Sequence, residues 1–190
     1  MPRIQALKPD VLCVCNFGRD QHISLKQATD FGLKRTTKIV VPVLLYTSRV
    51  AGGAVAFEVV VSGTSHYWGV EAQIPTTRAF NDRVRALPGG KRPSDYGALG
   101  YAGVRSVLAA VKQAGSSETG AVVAALSTLQ YDFYKGPQHY RPCDHQSVQS
   151  VFIIESKSKD MANASDVFTL VGTIPANEAL LLGCAEQGHT

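Results

Sequence analysis

Two continuous apolar runs separated by a helix-length segment constrain this chain more than any other feature. The runs cover residues 10–15 and 38–46, and each suits a strand that is buried on both faces. Between them, residues 23–31 place apolar side chains partly at helical spacing, and Gly32 follows as a helix terminator. This order predicts a strand–helix–strand unit over residues 10–46 with a right-handed crossover.

The remaining pattern continues the alternation of strands and helices and contains no internal repeat. A third apolar run at residues 59–61 predicts a strand, and Asp20 is predicted to be the N-cap of the first long helix. Further helices are predicted to begin after a threonine cap near residue 76, at Pro93 and at Glu118. An alternating apolar run follows at residues 148–154, then a solvated loop at 157–164 and terminal segments at 167–171 and 177–182.

Length, charge and hydropathy exclude several classes of protein. The 190 residues suffice for one domain or for parts of two. The 19 lysines and arginines give a net charge of only +4 and are scattered, so no nucleic-acid partner is predicted. No run of 18 apolar residues is present, and residues 1–10 lack the apolar core and cleavage site of a secretory signal peptide. Taken literally, the absence of a signal peptide predicts a chain that stays in the cytoplasm.

The four cysteines fall into two groups. Cys13 and Cys15 alternate within the first apolar run, so we expect both on one face of a strand, as small buried apolar side chains. Their C-x-C spacing, without further cysteine or histidine nearby, does not predict a zinc site. Cys143 and Cys184 lie in polar, turn-rich surroundings, and the sequence leaves open whether they form a disulfide in an oxidising compartment.

Catalytic and metal-binding interpretations of the polar residues are weak. Asp144 beside His145 suggests a catalytic pair, but adjacency in sequence does not place the carboxylate behind the imidazole, and no nucleophile motif accompanies them. We therefore expect Asp144 and His145 to make hydrogen bonds in a turn or hinge. The other histidines lack metal-ligand spacing. The sequence thus predicts neither an enzyme nor a metal or other cofactor, and an α/β enzyme that uses Asp144 and His145 is kept as the weakest alternative.

A succession of short motifs over more than a hundred residues resembles the type I periplasmic solute-binding proteins of the branched-chain amino acid and amide ABC transporters. The resemblance rests on their order and spacing, and it covers nearly the whole chain. The motifs are Asn16-Phe17-Gly18-Arg19-Asp20, Phe31-Gly32-Leu33, Gly63 before His66-Tyr67-Trp68, Phe80, Pro93, Tyr101 with Val104, Ala109-Ala110-Val111, Ala114-Gly115, Gly136-Pro137 and Asp144-His145-Gln146.

The resemblance implies an α/β fold made of parts of two doubly wound parallel-sheet lobes. Residues 1–68 would belong to the second lobe and 69–146 to the first, while 147–190 would form the last crossover and a tail packing on the second lobe. Family members are about twice this length, at a typical two-domain size. We therefore expect a fragment, incomplete at its N-terminal side, with unpaired sheet edges and uncovered apolar faces that favour aggregation.

The resemblance also implies a solute site at the carboxyl ends of the strands, where open α/β sheets bind ligands. Phe17 and Tyr46 would provide apolar walls, and Gly18 would let backbone approach the solute. Asp20 and Thr47 would offer polar contacts, with Arg49 solvated unless the solute is anionic. Tyr96 would face them from the first lobe, and Trp68 is expected in core or hinge packing rather than on the solute.

Residues 43 and 44, after the second strand, are apolar where amino-acid binders of the family place an acidic residue for the solute ammonium. An amide, a urea-like compound or an organic acid therefore fits at least as well as an amino acid. The expected protein is the solute-binding subunit of an ABC-type uptake transporter, a monomer at full length, which works in the periplasm with an inner-membrane permease. The alternative is a ligand-sensing regulatory module of the same fold, and a signal sequence upstream would distinguish the two.

Overall fold

The computed structural model describes residues 1–163 and 165–189. Its α-helices are α1 (Pro2–Leu7), α2 (Gly18–Asp30), α3 (Tyr46–Gly52), α4 (Ala54–Phe57), α5 (Pro75–Arg85), α6 (Asp95–Ala114) and α7 (Thr119–Leu126). Its strands are β1 (Val11–Cys13), β2 (Lys38–Val43), β3 (Val60–Thr64), β4 (Gln130–Tyr131), β5 (Gln138–Tyr140), β6 (Ser147–Val148), β7 (Val151–Ser156) and β8 (Phe168–Ile174). No helix among the described residues is long and apolar enough to cross a lipid bilayer.

The chain forms two compact units. The first contains Met1–Gly69 and Phe152–Thr173, and the second contains Val70–Val151 and Ile174–Thr190. The C-terminal segment thus belongs to the same unit as the middle of the chain. The assignment of these units to lobes of a larger protein stays a prediction.

The first unit is built on a mixed sheet in the order β1-β2-β3-β7-β8. β1 pairs with β2 and β2 with β3 in parallel, whereas β7 runs antiparallel to β3. Because α2 connects the parallel neighbours β1 and β2, the predicted strand–helix–strand unit is present. The carboxyl ends of β1, β2 and β3 therefore meet at one edge of the sheet, which positions the candidate site.

Apolar side chains explain this arrangement. On α2, Leu25 and Ala28 are fully buried, three residues apart on one helical face. On the sheet, Ile39, Val60 and Ile154 are each at most 1% exposed. Burial of one helix face against a sheet removes apolar area from water, which is the main driving force for this layer packing.

The second unit packs helices α5 and α6 around an aromatic core. Phe80 lies against Tyr134 and Tyr101, with ring centroids 5.5 and 4.7 Å apart, respectively. α6 begins where Ser94 accepts a hydrogen bond from the backbone of Gly97, and it ends before Gly115, whose φ of 63° terminates the helix. The long helix predicted from Pro93 to Gly115 is therefore confirmed.

Two predicted helix caps are wrong. α2 begins at Gly18 with Phe17 as its N-cap, so Asp20 lies inside the first turn rather than before it. α5 begins at Pro75, with Ile74 as N-cap, so no threonine is its cap. Proline at the first helical position needs no partner for a backbone N–H, which explains why this start does without a threonine cap.

The predicted burial of Cys13 and Cys15 is also wrong. Both thiols are exposed, although they share one face of the chain as predicted, with their sulfur atoms 3.7 Å apart. Only Val14, between them, is buried. β1 is an edge strand among the described residues, and its two faces are not equally covered, which periodicity alone does not reveal.

Val59, immediately before β3, has a φ of 54°, a conformation that is costly for a β-branched side chain. We expect Val59→Gly to raise the free energy of unfolding by about 1 kcal/mol, because glycine adopts this φ without a steric penalty. Val55→Gly in α4 is the matched control and should lower it by about 0.5 kcal/mol. Urea denaturation of both variants measures the difference, and a loss of stability in both would contradict the prediction.

Candidate functional site

The candidate site lies in the first unit, where β1 and β2 end and helices α2 and α3 begin. Residues 14–17 link β1 to α2, and Leu44 and Leu45 link β2 to α3. Since β1 and β2 are parallel neighbours, these two links lie side by side. Such an edge is where open α/β sheets present backbone groups and loop side chains to ligands.

Gln21 joins the link after β1 to the end of β2. Its side-chain amide donates to the backbone carbonyl of Asn16 at 3.1 Å and to that of Val43 at 2.8 Å. Only 2% of Gln21 is exposed, so both hydrogen bonds are shielded from water. Gln21 therefore fixes the spacing between the ends of β1 and β2, a role that the sequence analysis missed.

The start of α2 is open to solvent. Phe17 is 56% exposed, and Gly18 has a φ of 61° with no atom within 4 Å of where a Cβ would stand. Among the described residues, no side chain accepts a hydrogen bond at the N-cap of this helix. The backbone N–H groups of the first turn thus remain accessible to a polar ligand, beside an exposed aromatic ring and the carboxylate of Asp20.

Tyr46 and Thr47 form the first turn of α3, rather than the loop that the sequence predicts, and both are half-buried. The Tyr46 ring lies 6.1 Å from the ring of Tyr67, which is almost fully buried. The Tyr67 hydroxyl donates to Asp166 at 2.9 Å, and Asp166 also pairs with Lys157 at 2.7 Å. Burial, together with the hydrogen bond to Asp166, raises the pKa of Tyr67, so this phenol is a neutral support for Tyr46.

Two neighbouring side chains are structural. Arg49 was expected to be solvated, but it is buried and donates to the Ser156 hydroxyl at 2.6 Å and to the Lys157 carbonyl at 3.0 Å. This corrects the prediction, because these two acceptors on and beside β7 replace water around the guanidinium. Trp68 donates from its indole nitrogen to the Ser165 carbonyl at 3.1 Å, which agrees with the expected packing role.

A concavity of about 350 Å³ in the first unit lies at the opposite end of β2, near Lys34 and Lys38. The Lys34 ammonium there donates to the carbonyls of Val55, Ala56 and Glu58 at 3.2, 2.7 and 3.1 Å. Its hydrogen-bonding capacity is thus used by the backbone, and burial lowers its pKa to about 8. We interpret Lys34 as a structural cap.

In the second unit, a disulfide joins Cys143 to Cys184 with their Cα atoms 6.1 Å apart, forming the pairing that the sequence left open. Asp144 accepts from Arg141 at 3.0 Å and from the Gln146 backbone at 3.0 Å, as expected for a residue in a turn. The Arg141 guanidinium holds the pKa of Asp144 well below its usual range. Asp144 is therefore engaged structurally rather than with His145. Tyr96, on α6, is 60% exposed, and its predicted contact with a solute stays a prediction.

Comparison with protein families identifies this kind of fold. Residues 1–161 match the family model described as periplasmic binding protein, which covers most of the chain. A search of curated proteins finds no significant match. The α/β fold with a partly parallel sheet agrees with the predicted fold class. The chain belongs to the periplasmic binding protein family.

Solved structures agree with this assignment. An amino acid ABC transporter substrate-binding protein from Pseudomonas fluorescens Pf-5 matches 100% of this chain and 49% of its own, at a TM-score of 0.85 and 23% identity. A branched chain amino acid ABC transporter periplasmic ligand-binding protein from Burkholderia xenovorans LB400 matches 95% of this chain and 48% of its own, at a TM-score of 0.80 and 26% identity. A periplasmic binding protein from Burkholderia mallei matches 94% of this chain and 46% of its own, at a TM-score of 0.76 and 27% identity. The chain spans about half the length of the structures it matches.

Proposed function

We propose that this chain is part of the solute-binding subunit of an ABC-type uptake transporter for amino acids, amides or related small polar compounds. The observation that most supports this proposal is the open first turn of α2, which lies at the carboxyl ends of parallel strands, with Gly18 exposed and Phe17 beside it. A small solute with a carbonyl or carboxylate group would accept from the backbone N–H groups, while Phe17 and Tyr46 would cover its apolar part.

In the proposed mechanism, two lobes close about a hinge on the solute, and the closed form docks on an inner-membrane permease from the periplasm. Tyr96 would contact the solute from the other lobe. Solute shifts the population toward the closed form only by its higher affinity for that form. Binding without turnover is expected, so the solute should be recovered unchanged.

Calorimetric titration of the full-length protein with a panel of amino acids, amides, urea, aliphatic acids and benzoate tests this proposal. Binding of at least one member, with recovery of the intact compound, would support it. If no compound of the panel binds, or if a compound is converted, the proposal is contradicted.

Phe17→Ala is expected to weaken the binding of a panel member that binds by about tenfold, because an exposed aromatic wall is lost. Phe31→Ala is a matched control, since Phe31 is similarly exposed at the opposite end of α2. The control should bind like the parent chain in the same calorimetric assay. Equal affinities for both variants and the parent would remove Phe17 from the site.

A further inference from the structure

Cys13 and Cys15 are two exposed thiols that the solute site does not use. Their sulfur atoms lie 3.7 Å apart on the outward face of edge strand β1 and the residues that follow it. Val11, two residues earlier on the same face, is 54% exposed. The other two cysteines form a disulfide, so Cys13 and Cys15 carry the free thiols among the described residues.

The backbone between the two thiols is held in place. Cys13 is paired with Val40 of β2, and the Val14 N–H donates to the Val40 carbonyl at 2.9 Å. The Val14 side chain is buried, which keeps its neighbours facing outward. The pair therefore needs little ordering before both sulfurs can bind one atom, and such preorganisation favours chelation.

The separation of the sulfurs suits a bridging atom better than a direct bond. Side chains i and i+2 of an extended strand stand on the same face, so their Cβ atoms are about 6.6 Å apart, whereas the Cβ atoms of a disulfide are about 3.8 Å apart. A disulfide here would require the strand to buckle. Two thiolates on one tetrahedral zinc, at about 2.3 Å each, lie about 3.8 Å apart, close to the observed distance.

A metal ion with four ligands is not the best occupant. Among the described residues, no group of three or more histidine, cysteine or acidic side chains is placed to hold a metal ion. An organic trivalent arsenical needs only two thiols from the protein, because it brings its third substituent with it. The hydrogen bond between the two sulfurs raises the pKa of the Cys13 thiol, so that sulfur carries a proton that the condensation releases.

We propose that Cys13 and Cys15 form a dithiol site that captures trivalent organic arsenicals. With phenylarsine oxide, two arsenic–sulfur bonds form, both S–H bonds and the arsenic–oxygen double bond break, and the two protons leave with the oxygen as water. No electrons are transferred, so no oxidant or reductant is required. The exposed Val11 side chain offers an apolar surface to the phenyl ring.

Titration of the 190-residue chain with phenylarsine oxide, without added reductant, tests the site. We expect one equivalent to bind and both reactive thiols to disappear from a thiol-reagent assay. Excess ethanedithiol should reverse binding, because it offers a competing chelate, and excess monothiol should not. Two equivalents per chain, no loss of thiols or ready reversal by a monothiol would overturn the proposal.

Cys13→Ser and Cys15→Ser separate chelation from reaction at one thiol. Each variant should bind phenylarsine oxide at least about 100-fold more weakly, because the second bond is no longer intramolecular. Circular dichroism shows whether each variant keeps its fold. If a folded single variant binds as tightly as the parent chain, the two thiols do not act together and the proposal fails.

Discussion

Cys143→Ser is expected to lower the free energy of unfolding by about 4 kcal/mol, the entropy of closing a loop between cysteines 41 residues apart. The disulfide ties the C-terminal segment to the turn that contains Asp144. Without it, that segment is held by weaker contacts, such as the hydrogen bond from Arg141 to the Leu182 carbonyl at 2.9 Å and the one from Gln187 to the Asp144 carboxylate at 3.5 Å. Loss of the cross-link therefore mainly enlarges the conformational freedom of the unfolded chain.

Urea denaturation of oxidised parent and variant chains measures this loss. Cys13→Ser is the matched control, since it removes an exposed thiol outside any disulfide and should change stability by less than about 0.5 kcal/mol. Reduction of the parent chain should reproduce the effect of Cys143→Ser. Coincident unfolding curves for the oxidised parent and the variant would show that the bond contributes nothing.

Lys135→Met is expected to raise the free energy of unfolding by about 2 kcal/mol at pH 7. Lys135 is 2% exposed, and burial lowers its pKa to about 7, far below the ordinary value of 10.5. Its ammonium lies 5.6 Å from the centre of the Tyr134 ring, and the lowered pKa indicates that its surroundings offset only part of the cost of burying the charge. Methionine keeps the unbranched apolar stem and carries no charge.

The same substitution should change how stability depends on pH. Above pH 7 the folded chain releases the Lys135 proton while the unfolded chain still holds it, so parent stability rises with pH by at most about 1.4 kcal/mol per unit. Lys34, with a pKa of about 8, loses only part of its proton in the folded chain below pH 8 and so adds a smaller share of the rise there. Between pH 7 and 8 most of the rise should therefore disappear in Lys135→Met.

Thermal or urea unfolding at pH 6, 7, 8 and 9 supplies the measurement. Lys91→Met is the control, because Lys91 is an exposed lysine of the same unit. It should follow the pH dependence of the parent chain. A parent whose stability is flat or falls between pH 7 and 8 would contradict the assignment of a buried, nearly neutral Lys135.

Local sequence patterns predicted most of the elements in the first unit. The apolar runs at residues 10–15 and 38–46 contain β1 and β2, and the helix between them ends at Asp30, with Phe31 rather than Gly32 as its C-cap and Gly32 next at the positive φ typical of a helix terminator. These features depend on side-chain periodicity and on the positive φ of one glycine, which are properties of neighbouring residues. The family could be inferred for the same reason, since its motifs follow these elements in order.

Residues that act across distance in the sequence were predicted less well. Gln21 has the pattern of an ordinary polar helix residue, yet its amide bridges the carbonyl of Asn16, after β1, and that of Val43, the last residue of β2. Arg49 looked solvated because its acceptors are more than 100 positions away. The hydrogen bond between Asp166 and Tyr67 was not predicted, because the two residues are 99 positions apart in the sequence.

The sequence by itself determined the strand–helix–strand order, the parallel pairing that this order requires and the solute-binding family. Only the tertiary structure decided that Cys13 and Cys15 are exposed, that Arg49 and Lys135 are buried and that Cys143 pairs with Cys184. Periodicity records which side chains share a face, because backbone geometry repeats locally. Whether that face meets water or another element depends on contacts between distant segments, which no local pattern contains.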